Sequence, residues 1–243
     1  MKNFLLRFEY AFYMIGSLLR KGKIESIRRK KGDKAAEEYI NENLLNWAKF
    51  FVDKAGIKIN IKGIENLPEE SCLYVANHQS LFDIPVLLTA IKKPMGFVAK
   101  KELEKFKIIS GWMKQIHCVF MDRSNIRESV KSINEGVENL KNGYSMVIFP
   151  EGTRSKDGKL GEFKKGSMKL GIKGEVPIVP VTIDGTYKIR EGNEKKQVKP
   201  GKVNVVIHKP INTKELTKEE QINLAETIKE TIGKDLTDRK SVV

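Results

Sequence analysis

The sequence predicts an α/β fold: a largely parallel sheet flanked by helices and preceded by an N-terminal pair of helices. Short, β-branched apolar runs bounded by turn residues recur from Ile57 onward. Helical patterns fall between them, the alternation that builds parallel sheets with helices on their faces. Residues 1–56 stand apart, with helical patterning and clustered Lys and Arg. The chain therefore divides into an N-terminal helical segment, 1–56, and an α/β domain, 57–243.

Taken in order, Met1 to Leu19 is rich in Phe, Tyr, Leu and Met, and a basic run follows: Arg20, Lys21, Lys23, Arg28, Arg29, Lys30, Lys31 and Lys34. Asp33 is expected to cap a second helix that runs through Tyr39, Leu44, Trp47, Phe51 and Val52 to a stop near Gly56. An apolar aromatic segment joined to clustered cations has the pattern of an amphipathic anchor for an anionic membrane surface. It also fits a two-helix lid packed on its own core with a solvated basic face. No stretch reaches the roughly 18–20 apolar residues of a spanning helix. The uncharged run Tyr10–Leu19 is half that length, and its flanks do not match a cleavable signal.

Strands are expected at Ile57–Ile61, Cys72–Ala76, Gly96–Ala99, Cys118–Met121, Met146–Phe149, Ile178–Ile183 and Val203–Ile207. The clearest helices are Ile126–Asn142, which ends in Asn-Gly, and Lys214–Thr231. The polar stretch Arg190–Gly201 reads as a surface loop.

At 243 residues, 40% hydrophobic and 31% charged, the chain suits one sizeable α/β domain with an appendage. A net charge of +14 points to an acidic partner. Nucleic acid is disfavoured, because no helix-turn-helix, zinc or RNA-recognition signature accompanies the charge. Cys72 and Cys118 lie in apolar runs and read as reduced core residues. With three histidines and no metal-ligand spacing, neither a zinc site nor another metal is expected.

Two polar patches carry chemistry. The first, Asn77-His78-Gln79-Ser80-Leu81-Phe82-Asp83, follows an expected strand. On a continuous helix His78 and Asp83 would lie about 140° apart. If a helix starts near Asp83, as Pro85 favours, the loop can fold back and pair them. Asp83 would then fix the tautomer of His78 and leave its other nitrogen as a general base. The second patch, Phe149-Pro150-Glu151-Gly152-Thr153-Arg154-Ser155, also leaves a strand end. Its glycine permits a sharp turn, Arg154 can grip phosphate bidentately and Thr153 adds a hydroxyl. A charged surface turn, with Glu151 and Arg154 as a local ion pair, is the blander reading. In parallel sheets, functional residues gather at the carboxyl ends of strands, so the patches can converge. His117 also has an aspartate five positions on, Asp122. That pair falls across an expected strand, on opposite faces, so His117 reads as a core or edge histidine. His208 is expected without an acidic companion.

Four ordered blocks, Asn77-His78-Gln79-Ser80-x-x-Asp83, Phe120-Met121-Asp122-Arg123, Phe149 to Ser155 and Val176-Pro177-Ile178-Val179-Pro180-Val181, resemble those of the glycerolipid acyltransferases. They are most similar to bacterial 1-acyl-sn-glycerol-3-phosphate acyltransferases. The resemblance covers about Leu73 to Ile183 and includes Val98 to Leu103 and Phe163 to Gly166. It implies transfer of an acyl group from a thioester, carried by acyl carrier protein or coenzyme A, to lysophosphatidic acid, giving phosphatidic acid. It implies His78 as general base, Asp83 as its orienting carboxylate and Glu151 as an essential organiser of the acceptor site. Arg123, Gly152, Thr153 and Arg154 are implied to hold the acceptor phosphate. Lys100, rather than Lys101, would lie near the phosphate or the thioester carbonyl. The fourth block would shape the donor or acyl pocket. No cofactor is implied, because the thioester already carries an activated acyl group. Peripheral association with the cytoplasmic face of the cell membrane follows from an acceptor that resides in lipid. Relatives acting on glycerol 3-phosphate or lyso-ornithine lipid, or binding lipid without turnover, share the resemblance.

Overall fold

The structure, a computed structural model, describes residues 2–193 and 195–236, with the side chains of Lys2 and Ile126 left out. Met1, Glu194 and residues 237–243 lie outside the described residues. In chain order the elements are α1 (Lys2–Lys31), α2 (Asp33–Ala55), β1 (Ile57–Lys62), β2 (Leu73–Ala76), α3 (Asp83–Ile91), β3 (Gly96–Lys100) and α4 (Lys107–Gln115). There follow β4 (Val119–Met121), α5 (Ile126–Lys141), β5 (Met146–Ile148), α6 (Lys169–Gly174), β6 (Ile178–Asp184), α7 (Thr186–Ile189), β7 (Gly201–Ile207) and α8 (Lys218–Lys234).

Among the described residues seven strands form one sheet in the order β1-β7-β6-β2-β5-β3-β4. Every pairing is parallel except β6 with β7, where Val181 lies opposite Ile207. A parallel return needs a long crossover, whereas the segment between β6 and β7 holds only the single turn of α7. The two-residue period of the strands sorts their side chains onto two faces. Tyr74, Ala76, Val147, Val179, Val181 and Ile183 pack toward α2 and α3. Leu73, Val75, Met146, Ile148 and Ile178 pack toward α6 and α8. Central strands buried on both faces explain why their sequences read as continuous apolar runs.

Helix α2 buries Ala36, Ile40, Leu44, Ala48, Val52 and Ala55, a stripe at helical spacing, and most of it joins the core over α3. It ends as expected at Gly56, whose φ of +68° is the left-handed conformation glycine adopts without strain. Its start differs from expectation. Gly32 takes the N-cap with φ +87°, and Asp33 is the first helical residue, making no side-chain cap. The break between α1 and α2 is a single residue with positive φ, which suits glycine, and Asp33 instead pairs with Arg28 Nε at 3.0 Å.

Helix α1 lies against α2 through stacked rings, Tyr10 on Phe51 at 4.1 Å and Tyr13 on Phe50 at 4.3 Å. Glu9 pairs with Lys54 at 2.7 Å. Away from that contact Phe4, Leu5, Phe8, Phe12, Ile15, Leu18 and Leu19 are exposed. Among the described residues no helix is long and apolar enough to cross a membrane.

Candidate active site

Strand β2 delivers the first patch. Beyond Ala76, the Asn77 side chain donates to the carbonyl of Ile183 and accepts from its N–H, both at 2.8 Å. This amide clamp extends the β2–β6 pairing by one position and fixes where the loop leaves the sheet. The loop then folds back, as expected, because α3 begins at Asp83.

Asp83 is fully buried, and four donors converge on it. Its Oδ2 accepts from His78 Nδ1 at 2.7 Å, from Gln79 N–H at 2.6 Å and from Ser80 N–H at 2.8 Å. Its Oδ1 accepts from the Thr186 hydroxyl at 2.5 Å. A buried carboxylate is tolerated when its lone pairs are met in this way. A carboxylate only accepts, so Nδ1 of His78 carries a proton, and in the neutral imidazole Nε2 is the acceptor. The imidazole stacks on Phe149 at 4.0 Å, with 15° between planes, which holds the ring from one face.

The second patch leaves β5 and is stitched to the first. The His78 N–H donates to Glu151 Oε1 at 2.7 Å, and the His78 carbonyl accepts from Ser155 N–H at 2.8 Å. Glu151 Oε2 accepts from Gly161 N–H at 2.9 Å. Burial pushes the Glu151 carboxyl above the usual glutamate range, and the His78 and Gly161 amides pull it partly back. Glu151 therefore does not pair with Arg154. It supports the backbone of His78 from behind.

Gly152 has φ +76°, and a Cβ there would come within 2.7 Å of Arg123 Nη1 and 3.3 Å of Lys164 Nζ. The glycine thus permits both the turn and the close approach of two cations. Its own N–H is used by the Phe149 carbonyl at 3.0 Å, so its part in the site is to leave space. Arg154 Nη1 donates to Glu191 Oε1 at 2.9 Å. Lys101 is drawn to Asp122 at 3.5 Å, while Lys100 lines the cavity described next.

A cavity of about 1080 Å3 opens in front of His78. Its polar floor holds His78, Lys100, Arg123, Gly152, Thr153 and Arg154. Apolar residues of α1, α2 and α4 line much of the rest, with Tyr10, Met14, Leu44, Trp47 and Trp112 among them, and Arg7 and Arg20 of α1 also reach it. Of the expected site residues, only Asp83 and Glu151 do not line it. Both stand behind His78, hydrogen-bonded to it.

Two sequence expectations are corrected here. The fourth block does not line the cavity: β6 is buried along its whole length inside the sheet. Its contribution lies at its end, where Thr186 reaches Asp83. His208 does have an acidic neighbour, Asp235, at 3.9 Å from Nδ1, because α8 returns across the sheet end. Its Nε2 lies 2.8 Å from Thr182 Oγ1. Thr182 is fully buried and donates its proton to the Ile232 carbonyl, so this trio has no exposed nucleophile. His117 stacks on Tyr144 at 3.6 Å, while Asp122 bonds Ser124 and Lys101. Thr186 and Glu191 are site residues that the sequence did not reveal. Among the described residues, no group of three or more His, Cys, Asp or Glu could hold a metal ion.

A model of the acyltransferase family matches residues 58–184. A chloroplastic 1-acyl-sn-glycerol-3-phosphate acyltransferase of Arabidopsis thaliana is 43% identical over 157 residues, covering 64% of this chain and 44% of that one. This chain therefore spans less than half of that relative's length. A Mycoplasma pneumoniae protein named "Probable 1-acyl-sn-glycerol-3-phosphate acyltransferase" is 33% identical over 233 residues, covering 90% of this chain and 85% of that one. The crystal structure of the 1-acyl-sn-glycerophosphate acyltransferase PlsC from Thermotoga maritima superposes with a TM-score of 0.80 at 31% identity, covering 96% of this chain and 95% of the other.

Proposed function

The chain belongs to the acyltransferase family, and from that premise we propose that it transfers a fatty acyl group from a thioester to the sn-2 hydroxyl of lysophosphatidic acid, giving phosphatidic acid. The observation that carries this reading is the His78–Asp83 pair at 2.7 Å, with His78 on a cavity lined by cationic side chains and by apolar ones. A base, a phosphate grip and room for acyl chains match an acylated, phosphorylated alcohol. The relatives' names support the same acceptor.

In this mechanism the bare Nε2 of His78 takes the proton of the sn-2 hydroxyl as its oxygen attacks the thioester carbonyl. The imidazolium so formed is stabilised by Asp83, which already accepts from Nδ1. Collapse of the tetrahedral intermediate breaks the C–S bond, and His78 returns the proton to the leaving thiolate. Arg154, Arg123 and Thr153 hold the acceptor phosphate, and Gly152 keeps the space they need. Lys100 lines the same cavity, where its ammonium can meet the phosphate or the thioester carbonyl oxygen. Glu151 organises the site through the backbone of His78.

The donor is acyl carrier protein or acyl-coenzyme A; both present an acidic surface to a chain of net charge +14. Residues 1–56 dock the α/β domain peripherally on the cytoplasmic face of the membrane. The exposed apolar stripe of α1 enters the interface and the basic run meets anionic headgroups. The same two helices wall the cavity, so docking would bring its apolar side to the lipid that holds the acceptor.

Purified protein offered lysophosphatidic acid and glycerol 3-phosphate separately, with each donor, tests this assignment. Phosphatidic acid from the lyso-lipid alone supports it. Product only from glycerol 3-phosphate, or from neither acceptor, removes it.

A further inference from the structure

Arg154 reaches the cavity on a long, flexible side chain, and a phosphate held there must present its neighbouring hydroxyl to His78 within hydrogen-bond reach. Something has to set that spacing. Glu191, in the loop after α7, is placed to do so. Its carboxylate is only 11% exposed, and donors from three separate segments meet it. Oε1 accepts from Arg154 Nη1 at 2.9 Å, Arg190 Nη1 at 3.1 Å and Leu81 N–H at 3.2 Å. Oε2 accepts from the Ser80 hydroxyl.

Ser80 also donates its backbone N–H to Asp83 Oδ2 at 2.8 Å, the oxygen that holds His78. An unbroken chain of hydrogen bonds therefore runs Arg154–Glu191–Ser80–Asp83–His78. We infer that Glu191 is a positioning residue that sets the distance between the base and the phosphate grip. The inference rests on the acyltransferase reading above and deepens it. It also brings Arg190, which lines the same cavity, into the grip as a second guanidinium fixed by the same carboxylate.

The sign of the effect separates this role from simple binding. Deleting the carboxylate leaves Arg154 and Arg190 without their neutralising partner, so attraction for a phosphate is retained or increased. What is lost is register. A misplacement of about 1 Å can cost on the order of 10²-fold in rate. The penalty should therefore fall on kcat and spare KM, whereas a merely structural role would lower both activity and thermal stability without that split.

The test uses the full chain in detergent micelles. Glu191→Ala is expected to lower kcat by about 10–100-fold, with KM for lysophosphatidic acid changed by less than about threefold. Glu191→Gln, which keeps one acceptor oxygen, should recover most of the loss. In an Arg154→Ala, Arg190→Ala background, Glu191→Ala should cost less than about twofold, because both guanidiniums that it positions are then gone. Unchanged kcat in Glu191→Ala, or two effects that multiply, would overturn the inference. A second readout does not depend on turnover. Saturating inorganic phosphate should slow amide hydrogen exchange in residues 79–82 of the parent chain, but not in Glu191→Ala. Equal protection in both chains also overturns the role. If the parent makes no phosphatidic acid from lysophosphatidic acid, the functional assignment falls and the exchange result alone decides on Glu191.

Discussion

The backbone N–H of His78 donates to Oε1 of Glu151 at 2.7 Å, so the glutamate of one loop holds the main chain of the histidine in the other. The same carboxylate accepts from Gly161 on its second oxygen, at 2.9 Å. Two loops some seventy positions apart are thereby joined through one carboxylate. In the proposed mechanism Glu151 serves geometry and His78 transfers the proton.

Glu151 gives a pH prediction. Burial raises its pKa in the folded chain above the ordinary glutamate value. Between those two values the folded state binds more protons than the unfolded state, so this group's contribution to stability falls as pH rises. Glu151→Gln removes that dependence. It also loses the acceptor for Gly161 N–H, at a cost of about 1–3 kcal/mol. Thermal unfolding from pH 7 to pH 5 should show the parent gaining on the variant as pH falls. A constant difference would mean that Glu151 titrates as an ordinary glutamate.

Asp83→Asn separates charge from shape. An amide oxygen can still accept from His78, Gln79 and Ser80, and its NH2 can face the Thr186 hydroxyl, which can turn to accept. The fold should survive, but the imidazolium loses its counter-charge. Steady-state assays should show kcat lower by about 10²–10⁴-fold, with KM for lysophosphatidic acid little changed. A loss confined to KM would move Asp83 from orienting the base to binding the acceptor.

Gly152→Ala should be costly for two reasons. The residue sits at φ +76°, where an alanine is strained by roughly 1–2 kcal/mol. Its methyl would also displace Arg123, whose Nη1 lies 2.7 Å from the point that carbon would occupy. The expected result is a lower melting temperature together with a KM for the phosphorylated acceptor raised at least severalfold. A stability loss with unchanged KM would remove Arg123 from the phosphate site.

Helix α1 makes a prediction at the membrane. Phe8 and Phe12 are exposed on its outer face, and burying a large apolar side chain is worth about 1.5–3 kcal/mol. The Phe8→Ser, Phe12→Ser double variant should sediment with anionic vesicles at least tenfold less well, and turn over detergent-dispersed substrate at the parent rate. Undiminished vesicle binding would place the docking surface elsewhere.

Much of the scaffold was legible because short apolar runs at turn-bounded spacing report buried strands, and all seven lie where the sequence put them to within a residue or two. The rule that parallel sheets act at strand carboxyl ends also brought the two polar patches together. Applied to β6 it would have found Thr186, which follows that strand by one glycine. Glu191 had no such signal. It lies in a polar stretch that reads as surface, and its partners Arg154 and the Ser80 loop are distant in sequence. The Asp33 cap failed for a local reason, since Gly32 provides the positive φ that a one-residue helix break requires. The Glu151–Arg154 pair failed for a tertiary one, because the His78 amide takes the carboxylate first.

In the proposed mechanism His78 is the base, and phosphatidic acid formation by the full chain beside His78→Ala tests that role. Thermal unfolding and lysophosphatidic acid binding would be measured on the same samples. The expected result is a folded variant that binds the acceptor within about threefold of the parent and forms product about 10²–10⁴-fold more slowly. A folded His78→Ala protein that keeps the parent's turnover would contradict it.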